Sequence, residues 1–99
     1  MAYFVFMGID RPDMKVIREQ VRDAHRAYLR QDHGTCRFVS GGPLLTEPGG
    51  SMCGSLLIFE ASSHDEVAEV VGGDPYAKAG LFDRYELRTL NWTVGAPEA

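Results

Sequence analysis

The sequence is short of cysteine, of long apolar runs and of positive charge, and each shortage removes a class of protein. Two cysteines, Cys36 and Cys53, are too few for a disulfide framework and lack the CxxC spacing of a zinc or redox site. They are read as buried reduced thiols. The longest apolar run, Met1 to Met7, falls far below the roughly 20 residues that span a bilayer. No basic residue precedes Arg11 and no small-residue cleavage site follows that run, so no secretory signal is expected and the cytoplasm is the expected location. A formal net charge of −4 repels phosphate backbones and anionic lipid surfaces, which argues against nucleic acid and membranes as partners.

What is present is 99 residues, 44% hydrophobic and 24% charged, the composition of one globular domain that buries about 65% of its chain surface on folding. The domain is expected over residues 1–94, with residues 95–99 as a frayed tail. Tyr3 to Gly8, aromatic and β-branched, reads as a strand stopped by Asp10-Arg11-Pro12-Asp13. From Met14, with Asp13 as N-cap, the apolar positions Ile17, Val21, Ala24 and Tyr28 recur at helical spacing until Gly34 closes a helix of about five turns. Thr35 to Ser40 is a modest strand interrupted by Gly41-Gly42-Pro43, and Gly54 to Glu60 is its partner across a long loop, which keeps Cys36 and Cys53 too far apart to bridge. Ser63-x-x-Glu66 is a capping box ahead of a short helix ending near Gly72-Gly73. Asp74-Pro75 starts one further helical turn ending at Gly80, and Tyr85 to Leu90 is the last strand.

This βαββαβ order predicts an α+β, ferredoxin-like sandwich with both helices on one face of an antiparallel four-stranded sheet. Yet Tyr3, Val5 and Met7 point one way while Phe4 and Phe6 point the other, and Leu56-Leu57-Ile58-Phe59 repeats the anomaly. Both sheet faces are apolar. A second copy of the sheet is the simplest cover, so a homodimer through the sheet faces is expected.

Of three histidines, His33 belongs to the end of the first helix and His64 to a solvated helix start. His25, four residues after Val21 and three before Tyr28, borders the stripe that faces the sheet. Position alone leaves two readings open: a core imidazole satisfied by backbone or water, or a proton-transfer group. Asp74 as a helix cap needs no function, but a carboxylate on one imidazole nitrogen would fix the tautomer and leave the other nitrogen to move a substrate proton. Arg22, one turn before His25, is either a solvated side chain or a ligand for an anion. Tyr28 and Tyr76 either pack or offer phenolic hydrogen bonds, and Ser55 flanks the loop. Ser40 and Ser55 lie in no G-x-S-x-G elbow, and the glycine pairs lack the lysine and spacing of a phosphate loop. His25 and Asp74 are only two of the three or four ligands that a metal needs, so no metal and no cofactor is predicted. The third strand lacks the basic and stacking aromatic residues of an RNA-recognition domain.

The segments Arg22-x-x-His25-x-x-Tyr28-Leu29, Gly42-Pro43-Leu44, Gly54-Ser55-Leu56 and Asp74-Pro75-Tyr76-Ala77-x-Ala79-Gly80-Leu81 resemble the YCII-related (YciI-like) family over residues 1 to about 94. The resemblance implies a dimeric α+β barrel, related to muconolactone-isomerase-like enzymes, with a histidine and an aspartate at the positions of His25 and Asp74 as the active site. Asp23 and Arg26 depart from the proline and leucine common there and make the pocket entrance more charged. Some members resemble dehydrochlorinases or isomerases acting on oxygenated rings. Two functions follow: a cofactor-independent lyase or isomerase using His25 and Asp74, with Arg22, Tyr28, Ser55 and Tyr76 lining the pocket, or a non-catalytic dimeric module that binds a small hydrophobic ligand or supports a partner enzyme. Geometry discriminates, since a His25–Asp74 pair open to a cleft favours catalysis and a sealed pair favours structure.

Overall fold

In the computed structural model, which describes residues 1–97, the chain runs β1 (Ala2–Asp10), α1 (Lys15–Arg30), β2 (Arg37–Leu45), β3 (Met52–Ala61), α2 (His64–Gly72), α3 (Pro75–Lys78) and β4 (Phe82–Leu90). The strands form one antiparallel sheet in the order β2-β3-β1-β4. This is the ferredoxin-like α+β arrangement read from the sequence. Alternation along β1 sends Phe4 and Phe6 into a core with Leu57, Phe59, Leu29, Val67, Val70 and Val71. Each such side chain contributes about 1.5–3 kcal/mol by leaving water.

Tyr3, Val5 and Met7 occupy the opposite face, where Val5 pairs with Ile58 and Met7 with Leu56; all are half-buried, with no helix over them. Trp92 closes one end of that face edge-on to Tyr3, with ring centroids 5.3 Å apart. Gly8 is needed on the helix side, because a Cβ there would lie 2.6 Å from the Phe82 ring.

Several boundaries differ from expectation. Asp13 does not cap α1; it takes a left-handed conformation (φ 61°), and Met14 is the N-cap with no side-chain bond. The helix stops at Arg30 rather than near Gly34. There the Gln31 N–H and the His33 Nε2–H both donate to the Tyr28 carbonyl, at 3.1 and 2.7 Å, while the Asp32 carboxylate accepts from Gly34 N–H in a local turn that competes with helix. Gly41-Gly42-Pro43 does not interrupt β2, which continues to Leu45. β2 is an edge strand, where the missing proline N–H costs no ladder bond, and a Cβ at Gly41 would sit 2.3 Å from the Leu56 carbonyl oxygen. β4 begins at Phe82, three residues before the expected Tyr85.

Ser63 caps α2 as expected, but Glu66 reaches back to the N–H and hydroxyl of Ser62 and to the Thr35 hydroxyl instead of to Ser63. Residues 91–97 form no helix or strand; of the expected tail, residues 98 and 99 lie outside the described residues.

Both cysteines are free, and only Cys36 is fully buried; Cys53 is half-exposed. Burial, with the Glu66 charge behind it, pushes the Cys36 thiol up to about 11. Only about one molecule in a thousand then carries the Cys36 thiolate at pH ~8, so thiol reagents are expected to modify Cys53 first and Cys36 only after denaturation. Peptide mapping after timed alkylation checks this. Because the unfolded thiol ionises first, the contribution of this group to stability is present below pH ~9 and is lost as pH rises toward ~11.

Candidate active site

The site forms where α1 crosses the β2–β3 edge of the sheet. Gly41 and Gly42 of β2 lie in the wall without adding a side chain to it, and the cavity of about 240 Å³ is also walled by Arg22, His25, Pro43, Ser55 and Tyr76. At about 100° per helical residue, Arg22 lies about 60° to one side of His25 and Tyr28 about 60° to the other. His25 therefore sits on the seam between the packed face and the cavity.

The His25 side chain is 9% exposed, and its Nδ1 lies 2.8 Å from both carboxylate oxygens of Asp74. Asp74 is fixed twice, because its Oδ1 also accepts the Tyr76 N–H at 2.9 Å as the N-cap of α3. Capping and the imidazole contact coexist, as the sequence allowed. With Nδ1–H given to Asp74, the neutral ring carries its lone pair on Nε2. Nε2 has no partner among the described residues, and no fully buried side-chain nitrogen among them lacks one, so Nε2 is reached from the cavity.

The Tyr76 ring supports the imidazole from one side, stacked at 3.9 Å between centroids and 17° between planes. The Arg18 guanidinium lies 4.9 Å from the Tyr76 centroid. Arg18 is buried, held by Asp10 through paired bonds of 2.8 and 2.9 Å, and its Nη2 also donates to Ser55 Oγ at 2.9 Å. Since Ser55 Oγ accepts from Arg18, its own hydrogen is free to be donated elsewhere. Burial works to lower the Arg18 pKa, but the Asp10 carboxylate overrides it and the net direction is up, so the guanidinium stays charged. Burial raises the Tyr76 hydroxyl against the lowering charges of Arg18 and Arg22, which keeps it a donor, 3.4 Å from the Arg18 carbonyl.

Five of the six residues named from sequence line or support this cavity. Tyr28 does not. Its hydroxyl donates to the Val70 carbonyl at 2.6 Å and ties α1 to α2, with burial raising its pKa. Tyr76 takes part through its ring face, its hydroxyl being turned to the Arg18 carbonyl. The apolar stripe is also rotated from expectation: the buried residues of α1 are Arg18, His25 and Leu29, while Ala24 is exposed. Sequence reasoning missed Arg18, Asp10 and Arg30, and reached Arg26 only as a charge at the pocket entrance through the family resemblance. The available signal was the spacing of Arg18 to Arg22, His25 and Leu29, four, seven and eleven residues, which places all of them on one side of the helix.

No group of three or more His, Cys, Asp or Glu side chains that could hold a metal ion occurs among the described residues. No helix among them is long and apolar enough to cross a membrane.

The model of the YCII-related domain matches residues 2–91. The chain belongs to the YCII-related family. Within it, Protein YciI of Shigella flexneri is 29% identical over 90 residues, covering 86% of this chain and 92% of that protein. Among solved structures, the 5-chloro-2-hydroxyhydroquinone dehydrochlorinase TftG of Burkholderia phenoliruptrix, in complex with 2,5-dihydroxybenzoquinone, superposes with a TM-score of 0.79 at 36% identity, over 90% of this chain and 93% of that one. A protein from Agrobacterium tumefaciens has a TM-score of 0.62 at 16% identity, covering 98% of each chain, and shares the fold alone.

Proposed function

We propose that this YCII-related chain is a small enzyme of lyase or isomerase type that transfers a proton on an oxygenated ring, with His25 as base and Asp74 as its orienting partner. The observation that carries this reading is the pair of 2.8 Å contacts from Nδ1 to Asp74 together with an Nε2 open to the cavity. A pair sealed in the core would have favoured the non-catalytic module. The relationship to a dehydrochlorinase supplies the reaction class: a ring proton passes to Nε2, its electron pair forms the new double bond, and the leaving group departs as an anion. The Ser55 hydroxyl stands where it can donate to a ring oxygen that gains charge in that step. Such a step needs a base and a hydrogen-bond donor and no cofactor. A positioned acid–base group contributes about 10²- to 10⁴-fold, which suits activated carbon acids.

The test is a turnover screen of cyclic enones, lactones and halogenated hydroquinones, followed by absorbance and halide release. Turnover of a member of the panel that His25→Ala lowers by about 10²-fold or more supports the reading. Turnover that His25→Ala leaves unchanged contradicts it.

The uncovered sheet face is proposed to pack on a second copy of the chain, in the cytoplasm. Val5→Asp would strand a carboxylate in such an interface, at a cost of about 3–5 kcal/mol. Sedimentation is expected to give a dimer for the native chain and a folded monomer for the variant. A native monomer at tens of micromolar would refute the proposed dimer.

A further inference from the structure

Beyond the buried Arg18, α1 carries arginines at a strict four-residue spacing: Arg22, Arg26 and Arg30. Each step rises about 6 Å and turns only about 40° from the last, so the row climbs one side of the helix. All three line the cavity that His25 lines. Their electrostatic situation differs from that of Arg18. Arg18 is neutralised by Asp10, whereas none of the other three has a carboxylate within 4.0 Å among the described residues. Asp10 is taken by Arg18, and Asp74 is committed to His25 and to the cap of α3. In a chain of net charge −4, three unpaired guanidiniums at one opening concentrate a positive field where the rest of the molecule is acidic.

Resting on the reading of His25 as base, we propose that the substrate is an anion: an oxygenated ring that carries a carboxylate outside its reacting atoms, bound by Arg22 and Arg26, with Arg30 extending the field to the mouth. The layout of the wall gives the order of the contacts. Ser55 and His25 sit deep, both buried, while Arg22 is half-buried and Arg26 and Arg30 are exposed. A single ring set with one oxygen toward Ser55 and a carbon toward Nε2 directs its substituent outward, to the guanidinium row. A guanidinium presents paired N–H donors that match both oxygens of a carboxylate, and desolvation by the cavity wall strengthens that pairing.

The probes are 2,5-dihydroxybenzoate and hydroquinone, which share a ring and two hydroxyls and differ by one carboxylate. Calorimetry near neutral pH on the intact chain is expected to give at least about tenfold tighter binding of the carboxylated ring, a difference of about 1.4 kcal/mol. The ratio is expected to fall below about threefold in the double variant Arg22→Gln/Arg26→Gln and to persist in His25→Ala. Equal affinity for the two probes, binding of neither, or a ratio unchanged in the folded double variant overturns the proposal. Should the double variant not fold, the native ratio decides: it must shrink between about 50 and 500 mM salt, and a salt-independent ratio overturns the proposal. The readout is binding, so a His25→Ala variant that keeps both turnover and the ratio would remove the base and leave the anion site standing.

Discussion

On a substrate found in the screen, His25→Ala is expected to lower kcat by about 10²- to 10⁴-fold, and Asp74→Asn by about 10²-fold or more, with smaller changes in KM. The two variants separate chemistry from architecture. Asparagine caps a helix as well as aspartate does, so Asp74→Asn keeps the bond from the Tyr76 N–H and is expected to melt within a few degrees of the native chain. What it loses is the negative charge beside Nδ1, and with it the stabilisation of the imidazolium that forms when Nε2 takes a proton. Asp74→Ala removes the cap too and is expected to cost about 1 kcal/mol of stability in addition. If Asp74→Asn retained native kcat while Asp74→Ala lost both stability and rate, the carboxylate would be a cap and nothing more.

The largest expected effect on stability comes from Asp10→Asn. It leaves the buried Arg18 guanidinium without its counter-charge, at a cost of about 3–5 kcal/mol. For a domain of this size, each kcal/mol shifts the melting temperature by about 4–8 °C, so a fall of about 12–40 °C is expected. Replacing both partners with apolar residues, as in Asp10→Leu/Arg18→Met, is expected to recover most of that loss, because it removes the desolvated charges together. The same double variant withdraws the donor from Ser55 and the cation beside the Tyr76 ring, so it is expected to stay folded yet turn over poorly. Thermal melts of the native chain, Asp10→Leu, Arg18→Met and the double variant give the coupling directly. A coupling near zero would show the pair to be incidental.

The strands β1 and β3 and the short helices α2 and α3 were legible in the sequence for local reasons: dense apolar runs, a serine cap and an Asp-Pro start. The lengths of α1 and β2 were misread for different reasons, one local and one distant. Helix α1 ends early because His33 and Asp32 supply competing bonds, and β2 runs through Gly-Gly-Pro because the backbone of β3 lies close beside it. His25 was found because it borders the apolar stripe, and Asp74 because its cap position is marked by the following proline. The Asp10–Arg18 pair left no such mark. A buried arginine on a helix reads as a solvated one until the strand that carries its partner is placed beside it. Tyr28 misled for a related reason: its spacing from His25 fits either side of the seam, and only the position of α2, with the Val70 carbonyl, decides which side it takes.

In the neutral ring, His25 holds its proton on Nδ1, against Asp74, and its lone pair on Nε2, toward the cavity. Long-range ¹H–¹⁵N correlation of the histidine rings measures this without a substrate. For His25 a protonated Nδ1 and a bare Nε2 are expected in the neutral ring, the pattern weakening in Asp74→Asn. A neutral ring with the proton on Nε2 and a bare Nδ1 would contradict it.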